Sequence, residues 1–119
     1  MRKLLSLFLA ALLVISLSAA VFAASEEPII TLQPQSPNYP EYSVAIYTVK
    51  ATGTELKDQW QYRTSSSGSW KNVSAASGKT ANYSLTTAAR HNGYQYRCKI
   101  TDSAGNVIYT SIVKLTVKK

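Results

Sequence analysis

Cys98, His91 and six carboxylates are the side chains from which this chain would have to make chemistry. A cysteine attacks as its thiolate, which needs exposure and a base or cation beside it. Cys98 sits near the end of the stretch NGYQYRCKI at 92–100, where Tyr94, Tyr96, Cys98 and Ile100 alternate with polar residues. That period of two puts Cys98 on the apolar face of a strand. It reads as a small buried hydrophobe rather than a nucleophile, although His91 lies in the corner just before it. His91 is the only histidine, and a metal site needs convergent ligands. Glu26, Glu27, Glu41, Glu55, Asp58 and Asp102 are dispersed, and no two have the arrangement of an acid–base pair. Glu55 and Asp58 share one loop, where weak calcium binding and plain solvation are the two readings. Asp102, in DSAGN, reads as an acceptor of turn amides. The many serines lack a G-x-S-x-G elbow. The chain is therefore expected not to be an enzyme, with no catalytic residue, no cofactor and no metal.

The elements that position these residues begin after a distinct N-terminus. Arg2 and Lys3 precede an apolar run from Leu4 to Leu17, and Val21-Phe22-Ala23 follows. This order predicts a signal peptide over 1–23, cleaved after Ala23; an uncleaved membrane anchor is the rival reading. The remainder is expected to be one small domain, with an N-terminal strand and Pro-rich connection at 24–41 and a main body at 42–119. No second apolar run of membrane length follows the leader. The formal net charge of +7 stays positive once Arg2 and Lys3 are removed. It fits attraction to an acidic partner or anionic surface, and equally fits scattered cations that keep a tyrosine-rich domain soluble.

Helical periodicity is scarce in 24–119. Alternating runs separated by Gly, Asn, Ser and Pro predict strands at 29–33, 42–53, 59–63, 69–73, 80–87, 94–101 and 107–117. QPQSPNYP, with three prolines, is confined to an edge or a connection because proline lacks the ladder donor. AARHNG at 88–93 predicts a tight corner or a single helical turn. About seven to eight short antiparallel strands, each with one apolar face, predict an all-β Greek-key sandwich, with an open barrel as the alternative.

Particular residues sharpen that expectation. Trp60 lies on a short central strand, Tyr96 precedes Cys98 by two, and Trp70 follows a Gly-Ser tip. KATG at 50–53, QWQYR at 59–63, SWKNVSAASGKTANYSL at 69–85, ARHNGYQYRCKITDSAGN at 89–106 and SIVKLTVK at 111–118 together make the chain resemble bacterial immunoglobulin-like domains. Such domains occur, often in repeated copies, in exported and surface proteins of Gram-positive bacteria. The resemblance implies an immunoglobulin-like sandwich with Trp60, Tyr96, Cys98 and Leu85 in the structural core, and with Tyr96 bonding back to the corner as these domains' tyrosine does. Cys98 would take the second-cysteine position, while Tyr47 or Val49 fills the first. With a single cysteine, an intrachain disulfide is impossible. Asn92 would cap the corner.

The resemblance also implies a secreted or cell-surface location and a non-catalytic extracellular binding or cell-adhesion role. The expected partner is a protein or an envelope polysaccharide, and no nucleic acid is implied. A carbohydrate-binding module and a structural or self-assembly domain with an open sheet edge stay open as alternatives. Tyr42, Trp70 and Tyr109 are the candidate binding surface, being the aromatics least committed to the core; Tyr39 is similarly uncommitted. The loops at 52–58, 74–80 and 88–93 and the tip at 64–69 are further candidates.

Overall fold

Alternation of apolar and polar side chains becomes alternation of buried and exposed ones along the strands. The computed structural model describes residues 27–119, and the expected signal peptide at 1–23 lies outside them. The strands are β1 (Ile29–Leu32), β2 (Asn38–Pro40), β3 (Val44–Thr48), β4 (Lys50–Thr52), β5 (Lys57–Arg63), β6 (Lys71–Asn72), β7 (Asn82–Thr86), β8 (Gln95–Thr101), β9 (Val107–Tyr109), β10 (Val113–Lys114) and β11 (Thr116–Lys118). One sheet runs β10-β8-β5-β6, and β9 also pairs with β8. The other strands form three ladders: β3 with β7, β1 with β4, and β2 with β11. All pairings are antiparallel except β2 with β11. The proline-rich connection thus ends in a short strand, Asn38–Pro40, running parallel to the last one. It pairs on one side only, where proline is tolerated.

The two layers meet through four rings. Tyr47 of β3 and Tyr83 of β7 face Trp60 of β5 and Tyr96 of β8, with centroid separations of 6.3 Å for Tyr47–Trp60, 5.4 Å for Tyr47–Tyr96, 6.1 Å for Trp60–Tyr83 and 5.7 Å for Tyr83–Tyr96. Aromatic pairs at these distances add to what area burial supplies. Ala45, Val49, Cys98, Ile100 and Leu115 complete the buried core, and Leu85 is half-buried against it. Where a disulfide would tie such layers, this domain has interlocked rings. The polar tips are placed individually. Trp60 Nε1 donates to the Thr80 carbonyl at 2.8 Å. Ser36 Oγ donates to the Lys114 carbonyl at 2.7 Å, so at 3.1 Å it accepts from the Tyr47 hydroxyl. Burial pushes that phenol up to about 12.

Cys98 lies within this core with no exposed surface and no partner cysteine. Burial, followed by the nearby Asp58 carboxylate, pushes the thiol up to about 12. Cys98→Ser is expected to cost about 1–3 kcal/mol, because the hydroxyl meets an apolar layer; a urea midpoint equal to wild type would contradict this. The native thiol should resist alkylation at neutral pH until the chain unfolds.

The corner before β8 differs from the arrangement the resemblance implied. Among the described residues the Tyr96 hydroxyl makes no hydrogen bond to corner backbone; its ring is stacked within the aromatic cluster instead. The corner is held by its neighbours. Asn92 Oδ1 accepts from the Val117 amide at 2.9 Å, and the Gly93 amide donates to the Leu115 carbonyl at 2.8 Å. His91 Nδ1 accepts from the Ala88 amide at 3.0 Å. Burial and then Arg90 hold its pKa below the ordinary imidazole value. His91 is thus a backbone cap on the 3-10 turn at Ala89–His91. Gly93 has φ of 91°, a backbone conformation that glycine adopts without strain.

The β8–β9 turn has a carboxylate at its centre. Asp102 accepts from the Ala104 amide at 3.0 Å, the Asn106 amide at 2.9 Å and Asn106 Nδ2 at 2.9 Å. The Asn106 side chain, followed by backbone amides, holds this carboxyl below its ordinary range. A depressed folded pKa contributes stability that is present above the unfolded value and lost as pH falls through the folded one. The urea-midpoint gap between wild type and Asp102→Asn should therefore shrink from about pH 6 to about pH 2. A gap independent of pH would contradict the assignment.

Candidate interaction face

The tripeptide Gln-Tyr-Arg occurs twice, at 61–63 on β5 and at 95–97 on β8. The two strands run antiparallel in a register that sets Tyr62 opposite Tyr96. Gln61 therefore faces Arg97, and Arg63 faces Gln95. Alternation sends the tyrosines inward and these four side chains to the outer face. Arg97 Nε donates to Gln61 Oε1 at 2.9 Å, and Arg63 Nε donates to Gln95 Oε1 at 2.8 Å. Gln61 Nε2 in turn donates to Asn72 Oδ1 at 3.0 Å, tying in the edge strand β6.

Two aromatic rings flank this crossed pair. Arg63 Cζ lies 4.5 Å and Arg97 Cζ 4.3 Å from the Trp70 ring centroid. Arg97 Cζ also lies 4.1 Å from the Tyr109 centroid. Arg63, Trp70, Arg97 and Tyr109 thus form one contiguous cation–π cluster, hereafter the stack, drawn from four chain segments. Cation–π contacts of this kind contribute about 0.5–1 kcal/mol each at exposed sites. The larger consequence is geometric. Each guanidinium is fixed by stacking and by its Nε bond, while its terminal nitrogens have no protein partner among the described residues.

The charged outward side chains on β5 and β8 are Lys57, Arg63, Arg97 and Lys99. No carboxylate shares that face of the two strands. Beside the stack opens a cleft of about 570 Å³, lined by Lys57, Lys79 and Lys99 with Gln59, Asn72, Thr101, Leu56 and Asp58. Burial raises the Asp58 carboxyl above its ordinary value, since its side chain points toward the core layer.

Of the three aromatics expected to form a surface, the structure joins Trp70 and Tyr109 through Arg97 and leaves Tyr42 elsewhere. Tyr42 is 79 % exposed and sits in the turn before β3, at φ of 62°. Buried Thr87 builds that turn: its Oγ1 donates to the Pro40 carbonyl and accepts from the Ser43 amide, and its carbonyl accepts from Tyr42. The exposure of Tyr42 follows from this backbone geometry. Tyr39 spans the gap between β2 and β3, its hydroxyl 3.3 Å from both the amide and the carbonyl of Ile46. Sequence reading missed Arg63, Arg97, Gln61 and Gln95. The repeated Gln-Tyr-Arg was the available signal, and only the pairing register turns it into a site. Among the described residues no three of His, Cys, Asp and Glu converge on a metal position. None of their helices is long and apolar enough to cross a membrane.

Comparison with solved structures adds the fold family. A chimeric titin Z1Z2 carrying a decorin-derived KLER peptide superposes with a TM-score of 0.57 at 22 % identity, over 78 % of this chain and 95 % of that one. The titin M10–obscurin-like 1 Ig complex gives 0.56 at 20 % identity, over 76 % and 93 %. The chain is an immunoglobulin-like β-sandwich. Titin Z1Z2 in complex with telethonin gives 0.55 at 20 % identity, over 78 % of this immunoglobulin-like chain and 48 % of the titin chain, about half that chain's length. No protein-family model matches, and no curated protein matches.

These likenesses correct the narrower expectation. The superposing domains belong to titin and obscurin-like proteins, which overturns the assignment to bacterial surface-protein domains and, with it, the secreted or cell-surface location. The physical reason lies in the residues that carried the resemblance. Trp60, Tyr96 and Cys98 are core positions, which a sandwich of this shape needs whatever its source. They report architecture and carry no address.

Proposed function

We propose that this immunoglobulin-like domain is a non-catalytic protein-binding module whose docking surface is the outer face of the β6-β5-β8-β9 sheet. The observation that carries this reading is the stack Arg63–Trp70–Arg97–Tyr109, locked by Gln61 and Gln95. Tryptophan, tyrosine and arginine are the residue types that dominate binding energy at protein interfaces. Groups already held in place lose little freedom on association. Two of the similar solved chains are described as protein complexes, titin with telethonin and titin M10 with obscurin-like 1, which supports the same class of role. Sugar binding fits less well, because guanidinium groups already lie over Trp70 and over one face of Tyr109.

A photo-crosslinking side chain at Gln59 or Thr101 should yield a discrete protein adduct in an extract from the source cells. The same group at Ser84, on β7, should not. Equal yields from both faces, or no adduct from Gln59 and Thr101, would overturn the reading.

A further inference from the structure

The cations of this face define what its partner must present. Arg97 and Lys99 stand two residues apart on β8, on one side of the strand. Alternate residues of an extended chain are separated by about 6.5–7 Å. A second extended chain lying along β8 presents every other side chain at that same interval. Arg63 is held beside Arg97, both guanidinium carbons lying within 4.5 Å of the one Trp70 centroid. Farther along, Lys57, Lys79 and Lys99 line the 570 Å³ cleft with Gln59, Asn72 and a single carboxylate, Asp58, and Asn72 is tied to Gln61 of the crossed pair. Cationic groups thus continue from Arg63 to Lys79.

We propose that the segment docking on this face is an extended acidic polypeptide with carboxylates at alternate positions, its acidic side engaging Arg63, Arg97 and Lys99 and its end entering the lysine-lined cleft. This rests on the protein-binding reading above and names the partner's chemistry. Guanidinium forks pinned at Nε and open at their terminal nitrogens match planar carboxylates in bidentate geometry. A second copy of this chain is a poor occupant, since its formal net charge is +7 and its carboxylates are dispersed. Complementary charge of this kind steers association and makes it dependent on salt.

The test is an amide-resolved NMR titration of the full chain with three probes. The first is a short synthetic peptide in which glutamate and serine alternate. The second is its block isomer, with every glutamate placed before the serines, and the third is a sulfated heparin fragment. The alternating peptide is expected to shift amides of β5, β6 and β8 while leaving β3 and β7 unmoved. It should bind about tenfold more tightly than the block isomer and more tightly than the heparin fragment, and weaken about tenfold or more when R63Q and R97Q are combined. High salt should weaken binding to the wild-type protein in the same direction, which tests the charge contribution without any substitution. Absence of saturable shifts, equal binding of the block isomer, tighter binding of the heparin fragment, or shifts centred on β3 and β7 would each overturn the proposal. If the peptide fails while crosslinks from Gln59 and Thr101 persist, the acidic-segment inference falls alone. If both fail, the protein-binding reading falls with it.

Discussion

Trp60→Ala is expected to lower the unfolding free energy by about 3–5 kcal/mol, the range for removing a large buried aromatic. Small domains are typically stable by about 5–15 kcal/mol, so this change alone removes a large part of the total. Trp60 is fully buried, contacts Tyr47 and Tyr83 in the facing layer, and holds the Thr80 carbonyl through Nε1. Truncation therefore leaves a cavity between the sheets and an acceptor without its donor. Trp60→Phe separates the two effects: it keeps an aromatic ring and gives up the hydrogen bond and part of the ring volume. Urea unfolding of wild type and both variants checks this, and an alanine cost below about 2 kcal/mol would show that the aromatic layer does not replace a disulfide.

Tyr47→Ala should be nearly as damaging, again about 3–5 kcal/mol, judged by the size of the ring removed. Tyr47 touches Trp60 and Tyr96, the two rings contributed by the opposite sheet. Its hydroxyl reaches Ser36 in the proline-rich connection, and Ser36 reaches Lys114 on β10. One side chain thereby joins the core, the connection and β10. Tyr47→Phe keeps the ring and removes only the relay, for about 0.5–1.5 kcal/mol. If Phe cost as much as Ala, the hydroxyl relay rather than ring packing would be the dominant contribution.

Much of this core was legible from alternation. Ala45, Tyr47 and Val49, and Tyr96, Cys98 and Ile100, follow a period of two in the sequence and are all buried in the fold. What alternation does not carry is interruption. The run 107–117 reads as one strand but is broken into β9, β10 and β11. Thr110 turns inward at the break, its Oγ1 accepting from the Cys98 amide at 2.9 Å, while the Ser111 amide turns to Gln33 at 2.8 Å. Those partners are distant in sequence, so no local pattern announces them. The strand expected at 69–73 contracts to Lys71–Asn72, and the loop after it packs Gly78 so closely on Val73 that a Cβ at position 78 would overlap Val73 Cγ2.

The interaction face was only partly legible for a related reason. Trp70 and Tyr109 stand out as aromatics without a core assignment, yet what joins them is Arg97, placed by the β5–β8 register. Register is set by the inward faces of both strands acting together. Shifting one strand by a single residue would send Arg97 inward and dissolve the stack. Tyr42 drew attention for its residue type, but its position follows from the buried Thr87 hydroxyl.

Arg63 and Arg97 are expected to be rigid in the free protein, each held by its Nε bond and by ring contacts. Side-chain 15N relaxation of the arginine Nε–H groups measures this directly, with Arg90, exposed and held only by an Nη1 contact to His91, as the internal reference. Arg63 and Arg97 are expected to show order parameters approaching those of rigid backbone, about 0.85, with Arg90 well below them. Values below about 0.6 for both Arg63 and Arg97 would contradict the account.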